Sequence, residues 1–399
     1  MKKKLLIVSH ALELGGAERS LIGLLSALNP NEYDIDLFLL RHEGELMGDI
    51  PPYVNLLPQI DAYTVLARPM KDILLEGHVL LTAARLYGKI KANKYAALHN
   101  HKDSGTPLEY SHKYTANFMP KIQPDTQYDL AISFLTPHYF VTQKVNAKRK
   151  IAWIHTDYSF IDIDVESELA MWSQYDYIVS ISDAVTEGFI KTFPSLKDKI
   201  VLIENILPKD FILRKSTEFS VKDEMNFDGI KLLSIGRYCN AKNFDNVPQI
   251  CSKILKSGIN ACWYIIGFGG DEELIKKKIE ELSIQNNVVL LGKKENPYPY
   301  IKECDLYVQP SRYEGKSVTV REAQLLTKPV VITNYPTAKS QLIDGYDGII
   351  APLDNDGCAD KIAEVLNNKN LINSICENCK ANDYSNSNEV KKLEDILGE

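Results

Sequence analysis

Short apolar runs rich in Val, Ile and Leu recur along this chain, each followed by a helix-patterned stretch. In the first half they are KLLIVSH, IDLFLL, YDLAISF, KIAWIH, YIVSIS and KIVLIEN; in the second half they are IKLLSIGR, ACWYIIGFG, NVVLLG, DLYVQPS, PVVITN and DGIIAPL. Strands without polar alternation are buried on both faces, and strands separated by helices pair in parallel. The fold class this rhythm predicts is α/β, with two doubly wound parallel sheets.

Midway along the chain the rhythm stops and restarts. Between the two halves lies ILPKDFILRKSTEFSVKDEMNFDG, charged and weakly periodic, which marks a linker near 206–228. A chain of 399 residues exceeds one ordinary core, so two domains follow, 1–205 and 206–382. Residues 60–124 break the strand rhythm as a largely helical insertion in the first domain. The closing segment 383–399 has a helical leucine and charge pattern too short to stand alone, and is expected to dock back on the first domain.

A formal charge of −7 argues against a nucleic-acid partner. The basic start MKKKLLIVSH runs into polar residues and glycines and reads as a first strand rather than a signal segment. No run approaches the ~20 apolar residues that cross a bilayer. Seven cysteines scattered through the second half fit a reducing compartment, and the expected location is cytoplasmic. Cys376 and Cys379 form a CxxC with no second ligand pair, which reads as reduced thiols on a helix.

In open parallel sheets ligands bind beyond the carboxyl ends of the strands. After the first strand, Gly15 and Gly16 precede a helix whose free amides suit a phosphate, although a glycine pair also simply shapes a tight turn. After the first strand of the second half, Arg237 and Lys242 flank a turn. Two cations converging there suit a diphosphate leaving group, on which charge grows as the bond breaks; the alternative is a pair of solvated cations. The turn IIGFGGDEEL carries Gly267 and Gly269, but Glu272 stands where a dinucleotide fingerprint needs a third small residue, so a nicotinamide enzyme is the weaker reading.

In RYEGKSVTVREA, Glu314 precedes a helix expected to start near Val318, and Glu322 lies in its first turns. A carboxylate accepts bonds from two vicinal hydroxyls, so one glutamate suits a ribose and the other a sugar ring; a loop carboxylate and an exposed helix glutamate are the plain alternative. His155 ends an apolar strand, where its imidazole suits a sugar hydroxyl or carbonyl, or is buried and satisfied. The DID sequences at Asp34–Asp36 and Asp162–Asp164 are candidates for a divalent cation, but the cations Arg237 and Lys242 make a metal unnecessary.

GGAERS, HTDYS, IGRYCNAKN, IIGFGGDEEL and PSRYEGKSVTVREA, in this order, resemble glycosyltransferase family 4, and specifically members that build bacterial polysaccharides. The resemblance implies a GT-B fold, two Rossmann-like domains facing across a cleft, with a nucleotide sugar, most readily UDP-linked, held mainly by the second. It implies retaining transfer without a metal or other cofactor. By the same resemblance Glu314 contacts the donor sugar, Glu322 the ribose, Arg237 and Lys242 the diphosphate, and Gly16 belongs to the glycine loop. His155 lies near the transferred sugar, and the backbone at Gly315, Lys316, Ser317 and Val318 touches sugar or phosphate. Lys316 stands where many members have an aromatic residue, a departure that bears on the donor sugar.

The implied acceptor is a saccharide or a lipid-linked one. Arg85, Lys89, Lys91, Lys94, Lys102, Lys113 and Lys121, against Asp103 and Glu109, interleave with Tyr87, Tyr95, Tyr110, Tyr114 and Phe118. Such a patch over 85–121 suits an anionic membrane surface, placing the protein peripherally on the inner face, or is an ordinary solvated helical face. An epimerase on the same scaffold and a non-catalytic nucleotide-sugar-binding protein are the competing readings.

Overall fold

The computed structural model describes residues 2–13, 15–101, 105–156, 158 and 161–398. The chain forms two compact units: Met1–Ile206 with Ser387–Glu399, and Leu207–Asn386.

The first unit holds a seven-stranded parallel sheet: β1 (Lys3–Ser9), β2 (Tyr33–Leu39), β3 (Asn55–Leu56), β4 (Tyr128–Ser133), β5 (Ala147–Ile154), β6 (Tyr177–Ser180) and β7 (Ile200–Leu202). Their spatial order is β3-β2-β1-β4-β5-β6-β7. In β1, Leu5, Leu6, Ile7 and Val8 are all fully buried, as a strand covered on both faces requires. The sequence pattern placed every one of these strands except β3, whose two residues are too few to show a period.

The second unit holds six parallel strands: β8 (Ile230–Ile235), β9 (Ala261–Ile266), β10 (Val288–Gly292), β11 (Leu306–Gln309), β12 (Val330–Thr333) and β13 (Ile349–Ala351). Their order is β10-β9-β8-β11-β12-β13. Chain order reverses beside β1 in one sheet and beside β8 in the other, which opens a crevice between the carboxyl ends of β1 and β4, and another between those of β8 and β11.

The helices follow from apolar spacing. In Val247–Lys256, Val247, Ile250, Cys251 and Ile254 are buried at the i, i+3, i+4, i+7 positions, and Pro248 occupies the first turn, where its missing N–H costs nothing. In the closing helix, Val390–Gly398, Val390, Leu393 and Ile396 are buried in the core of the first unit. Lys3 Nζ donates to the Leu397 carbonyl at 3.0 Å, Lys392 Nζ to the Leu202 carbonyl at 2.9 Å, and Arg149 to the Ile396 carbonyl. These cations satisfy carbonyls at a helix end and at a strand end.

The segment expected as a linker is packed. Leu207, Ile212, Val221 and Met225 are buried in the second core, and a helix runs Lys209–Lys215. Its apolar residues are too widely spaced to display a period, so only the packing shows where they go.

Candidate active site

In the second unit the loops after β8 and β11 meet at the switch point. Lys242 Nζ lies 2.5 Å from Glu314 Oε1. The same oxygen accepts from Ser311 Oγ at 2.6 Å and from Gln309 Nε2 at 3.3 Å. Behind it, buried Gln309 accepts from Tyr307 Oη at 2.7 Å, so the carboxylate is held by a polar chain reaching back into the strand. The Glu314 side chain is 10% exposed, and every side-chain bond described goes to Oε1, which leaves Oε2 without a described partner.

Two further contacts lock these loops together. Arg312 forks onto Asp245, at 2.8 and 3.1 Å, and also donates to the Asn240 carbonyl at 2.6 Å. Burial opposes the charge on Asp245, but hydrogen bonds from Arg312 and Lys278 outweigh it and hold the carboxyl below its usual range. Asn243 adopts a left-handed φ of 61° and donates to the Pro310 carbonyl at 2.9 Å. Arg237 is exposed and makes no ion pair among the described residues.

Gly267 and Gly269 bring the turn after β9 onto the loop after β8. Their φ angles are +153° and +155°, and an added Cβ would lie 1.8 Å from the Gly236 carbonyl oxygen and 2.3 Å from that of Tyr238. Glycine is required at both positions by close backbone approach.

At three positions the geometry differs from the expectation. The Ser317 amide is not available to a ligand: it donates to Gln341 Oε1 at 2.6 Å, while Gln341 Nε2 returns a bond to the Ser317 carbonyl at 3.2 Å. Glu322 does lie in the helix Val318–Leu325, but it is fully buried and accepts from Tyr298 Oη at 3.0 Å, so a ribose reaches it only after local rearrangement. In the first unit, Gly15 precedes the helix Gly16–Ala27, but the Glu18 carboxylate folds back to where a Gly15 Cβ would stand, 2.0 Å from Oε2, and accepts its own backbone amide. The helix start is thus occupied by its own carboxyl, where a ligand anion would otherwise sit, and burial raises that carboxyl above its usual range. The remaining loop positions, Gly315, Lys316 and Val318, are half-exposed beside Glu314.

His155 lies in the first unit at the end of β5, against Phe134 at 4.8 Å between ring centroids. Burial lowers its pKa to about 4, with a hydrogen bond to the Phe134 backbone pulling the other way, so the ring is neutral at pH 7. Its Nε2 is buried and has no partner among the described residues.

One aspartate of each DID sequence serves the fold. Asp36 accepts from Tyr128 Oη and Asn55 Nδ2, both at 2.6 Å; Asp164 caps the helix Val165–Trp172 and accepts from Tyr110 Oη at 2.6 Å. Among the described residues no group of three or more His, Cys, Asp or Glu side chains is placed to hold a metal. All seven cysteines are free thiols.

The patch over 85–121 is rearranged by packing. Tyr87 and Tyr110 both meet Tyr114 edge-on, at 4.8 and 5.6 Å, between the helices Val79–His99 and Thr106–Ala116, and Arg85 is tied to the Val65 and Arg68 carbonyls. Lys102 and Asp103 lie outside the described residues. What the helix Val79–His99 presents outward is Val79, Leu80, Leu86, Ile90 and Leu98 beside Lys89, Lys91 and Lys94. No described helix is long and apolar enough to cross a membrane.

Two Rossmann-like parallel-sheet units, each with a crevice at its switch point, make up the GT-B architecture. Solved structures of that architecture superpose along the whole chain. The Anabaena protein HepE in complex with UDP and glucose gives a TM-score of 0.68 at 15% identity over 99% of each chain, and TarM of S. aureus gives 0.68 at 15% identity over 100% of this chain and 99% of that one. Within the second unit, residues 216–384 match the family profile described as Glycosyl transferases group 1. An uncharacterized glycosyltransferase of Methanocaldococcus jannaschii is 30% identical over 173 residues, 43% of each chain. A second from the same organism is 26% identical over 276 residues, 62% of this chain and 75% of the relative. The Campylobacter jejuni N-acetylgalactosamine-N,N'-diacetylbacillosaminyl-diphospho-undecaprenol 4-alpha-N-acetylgalactosaminyltransferase is 26% identical over 188 residues, 47% of this chain and 49% of the relative. The match thus spans less than half the length of the first and the last of these relatives.

Proposed function

We propose that this protein is a retaining glycosyltransferase that moves a sugar from a UDP-sugar to a saccharide or lipid-linked acceptor, in the manner of family 4, during synthesis of a cell-surface glycan. The observation that carries the reading is the Lys242–Glu314 pair at the switch point of the sheet within the profile-matched segment. The UDP complex of HepE and the lipid-linked acceptor in the Campylobacter relative's name support the donor and acceptor classes.

In this reading the diphosphate takes Lys242 away from Glu314, and exposed Arg237 supplies the second cation. Glu314 Oε2 receives a donor-sugar hydroxyl, and Glu322 serves the ribose once Tyr298 moves. His155, neutral, accepts a hydroxyl near the reacting carbon. The bond from the anomeric carbon to the diphosphate breaks, the acceptor oxygen bonds to the same face, and the acceptor proton passes to the departing diphosphate. Charge growing on the leaving group is met by fixed cations, so no metal enters the scheme.

The acceptor is reached at an anionic membrane surface, on which the outward row Val79, Leu80, Leu86 and Ile90 rests with Lys89, Lys91 and Lys94 around it. The deciding experiment is a thermal-shift panel of UDP, GDP and ADP with their sugars, followed by product mass and anomeric configuration by NMR, with and without EDTA. Stabilisation by UDP, and a product whose linkage keeps the donor's anomeric configuration, is the expected result. Donor converted with no acceptor present would replace the transferase by an epimerase.

A further inference from the structure

The first unit contains a cavity of about 140 Å³ between the helix Thr106–Ala116, the ends of β4 and β5, and the helix Val165–Trp172. A cavity of about 150 Å³ holds benzene, so a partly open space of this size takes the ring of a pyranose with its substituents reaching out of the mouth. Its walls are largely carbon, from Leu108, Leu135, Trp153, Ile161, Met171 and Trp172. Buried apolar space normally stays free of unpaired polar atoms, because each costs about 1–3 kcal/mol. Here two remain. Glu109, 8% exposed, accepts on Oε1 from Ser167 Oγ at 2.7 Å and from Tyr139 Oη, while among the described residues its Oε2 has no partner and His155 Nε2 has none either.

These orphans are both hydrogen-bond acceptors. Neutral His155 binds the Phe134 backbone through its other ring nitrogen, which leaves Nε2 bare. A ligand that fills the space must therefore bring donors and a flat apolar face. Among the described residues no Lys or Arg lines the cavity, whereas the carboxyls of Glu109 and Glu168 do, which disfavours an anion such as a diphosphate or a uronate.

We propose that this cavity binds one neutral pyranose ring of the acceptor, with a ring hydroxyl donating to Glu109 Oε2 and the ring's carbon face against the aromatic wall. This rests on the glycosyltransferase reading for the word acceptor, but not for the site itself. Glu109 is then a binding residue supplied by the helical insertion, outside every motif that carries the resemblance.

The test uses the full chain, with Trp153 and Trp172 as reporters in the cavity wall. Tryptophan emission is titrated with methyl glycosides of glucose, galactose, N-acetylglucosamine and glucuronic acid. A saturable change with at least one neutral glycoside and none with the glucuronide is expected. Glu109→Gln keeps an oxygen for Tyr139 and Ser167 but turns the free acceptor into a donor, and should weaken the best glycoside about tenfold or more. Ile161→Trp, which fills the space from a half-buried wall position, should abolish the change, and both variants should keep the wild-type thermal shift with UDP. Equal binding by wild type and Glu109→Gln, no response to any neutral glycoside, or binding of the glucuronide alone would overturn the proposal. Saturable neutral-glycoside binding without any UDP shift in the wild type would leave the sugar site standing and remove the transferase reading.

Discussion

Lys242 Nζ and Glu314 Oε1 stand 2.5 Å apart, joining two loops whose residues are 72 positions apart in the chain, where the strand order of the second sheet reverses. The contact is largely sheltered, with the side chains 22% and 10% exposed. Two opposite charges in that position are matched to each other only until a more highly charged anion arrives. Lys242→Ala and Glu314→Ala are each expected to lower kcat by about a hundredfold or more, with far-UV circular dichroism unchanged. Lys242→Ala should also lose most of the UDP thermal shift, which Glu314→Ala should keep. Variants that turn over at the wild-type rate would remove the site.

Gly267 and Gly269 test the close approach of the loops after β8 and β9. A methyl group there meets carbonyl oxygens at 1.8 and 2.3 Å, whereas one on Gly258, at φ +88°, meets open space. Gly267→Ala and Gly269→Ala should each cost about 2–4 kcal/mol in urea unfolding and weaken UDP binding. Gly258→Ala should cost about 1 kcal/mol, from φ alone, and bind UDP normally.

Buried titratable groups give the first unit a directional pH response. Burial lowers His112 and His138 to about 3 and His155 to about 4, and raises Glu168 to about 7. It lowers His10 and raises Glu18 and Glu109 as well. Unfolded histidines titrate near ~6.5, so as pH falls below that value the unfolded chain takes up protons that the folded histidines refuse, and stability falls toward the folded values. The glutamates act oppositely: a carboxyl raised by burial keeps a proton that the unfolded one loses above ~4.5, so its contribution is present at low pH and, for Glu168, is lost as pH rises toward 7. The large lowering of these three histidines outweighs the one glutamate raised to about 7, which leaves a net loss of stability on acidification between pH 6.5 and 5. Calorimetric Tm should fall over that range, and Glu168→Gln, by removing an opposing group, should make the fall steeper.

The outward apolar row on the helix Val79–His99 predicts binding to anionic vesicles. Leu80 is 63% and Ile90 59% exposed, beside three lysines and with no carboxylate anywhere in that helix. Wild type should sediment with phosphatidylglycerol vesicles and be released by salt, while Ile90→Glu and Leu80→Glu should stay in the supernatant. Salt-insensitive behaviour, or equal sedimentation with neutral lipid, would point away from an anionic surface.

The strands were legible because each is an uninterrupted apolar run, and burial on both faces of a parallel sheet leaves that trace in one segment at a time. The Glu314 loop was legible for a different reason, since its residues are contiguous. The partners of that loop were not: Gln341, which takes the Ser317 amide, and Asp245, which holds Arg312, sit in segments whose own patterns are ordinary. Glu109 was counted only as one of two acids in a basic stretch, because nothing in TPLEYSHKY separates a buried carboxylate from a solvated one.

By itself, then, the amino-acid order determined two parallel sheets, the glycines their loops need, and the charged residues those loops carry. Periodicity encodes which face of a segment is buried, and that information is local. Only the tertiary structure decided that Lys242 meets Glu314, that Glu322 is closed off behind Tyr298, that Glu18 caps its own helix start, and that Glu109 and His155 keep unpaired atoms beside one cavity. Those outcomes depend on which strands become neighbours and on the space left between side chains distant in the chain, quantities that no single segment contains.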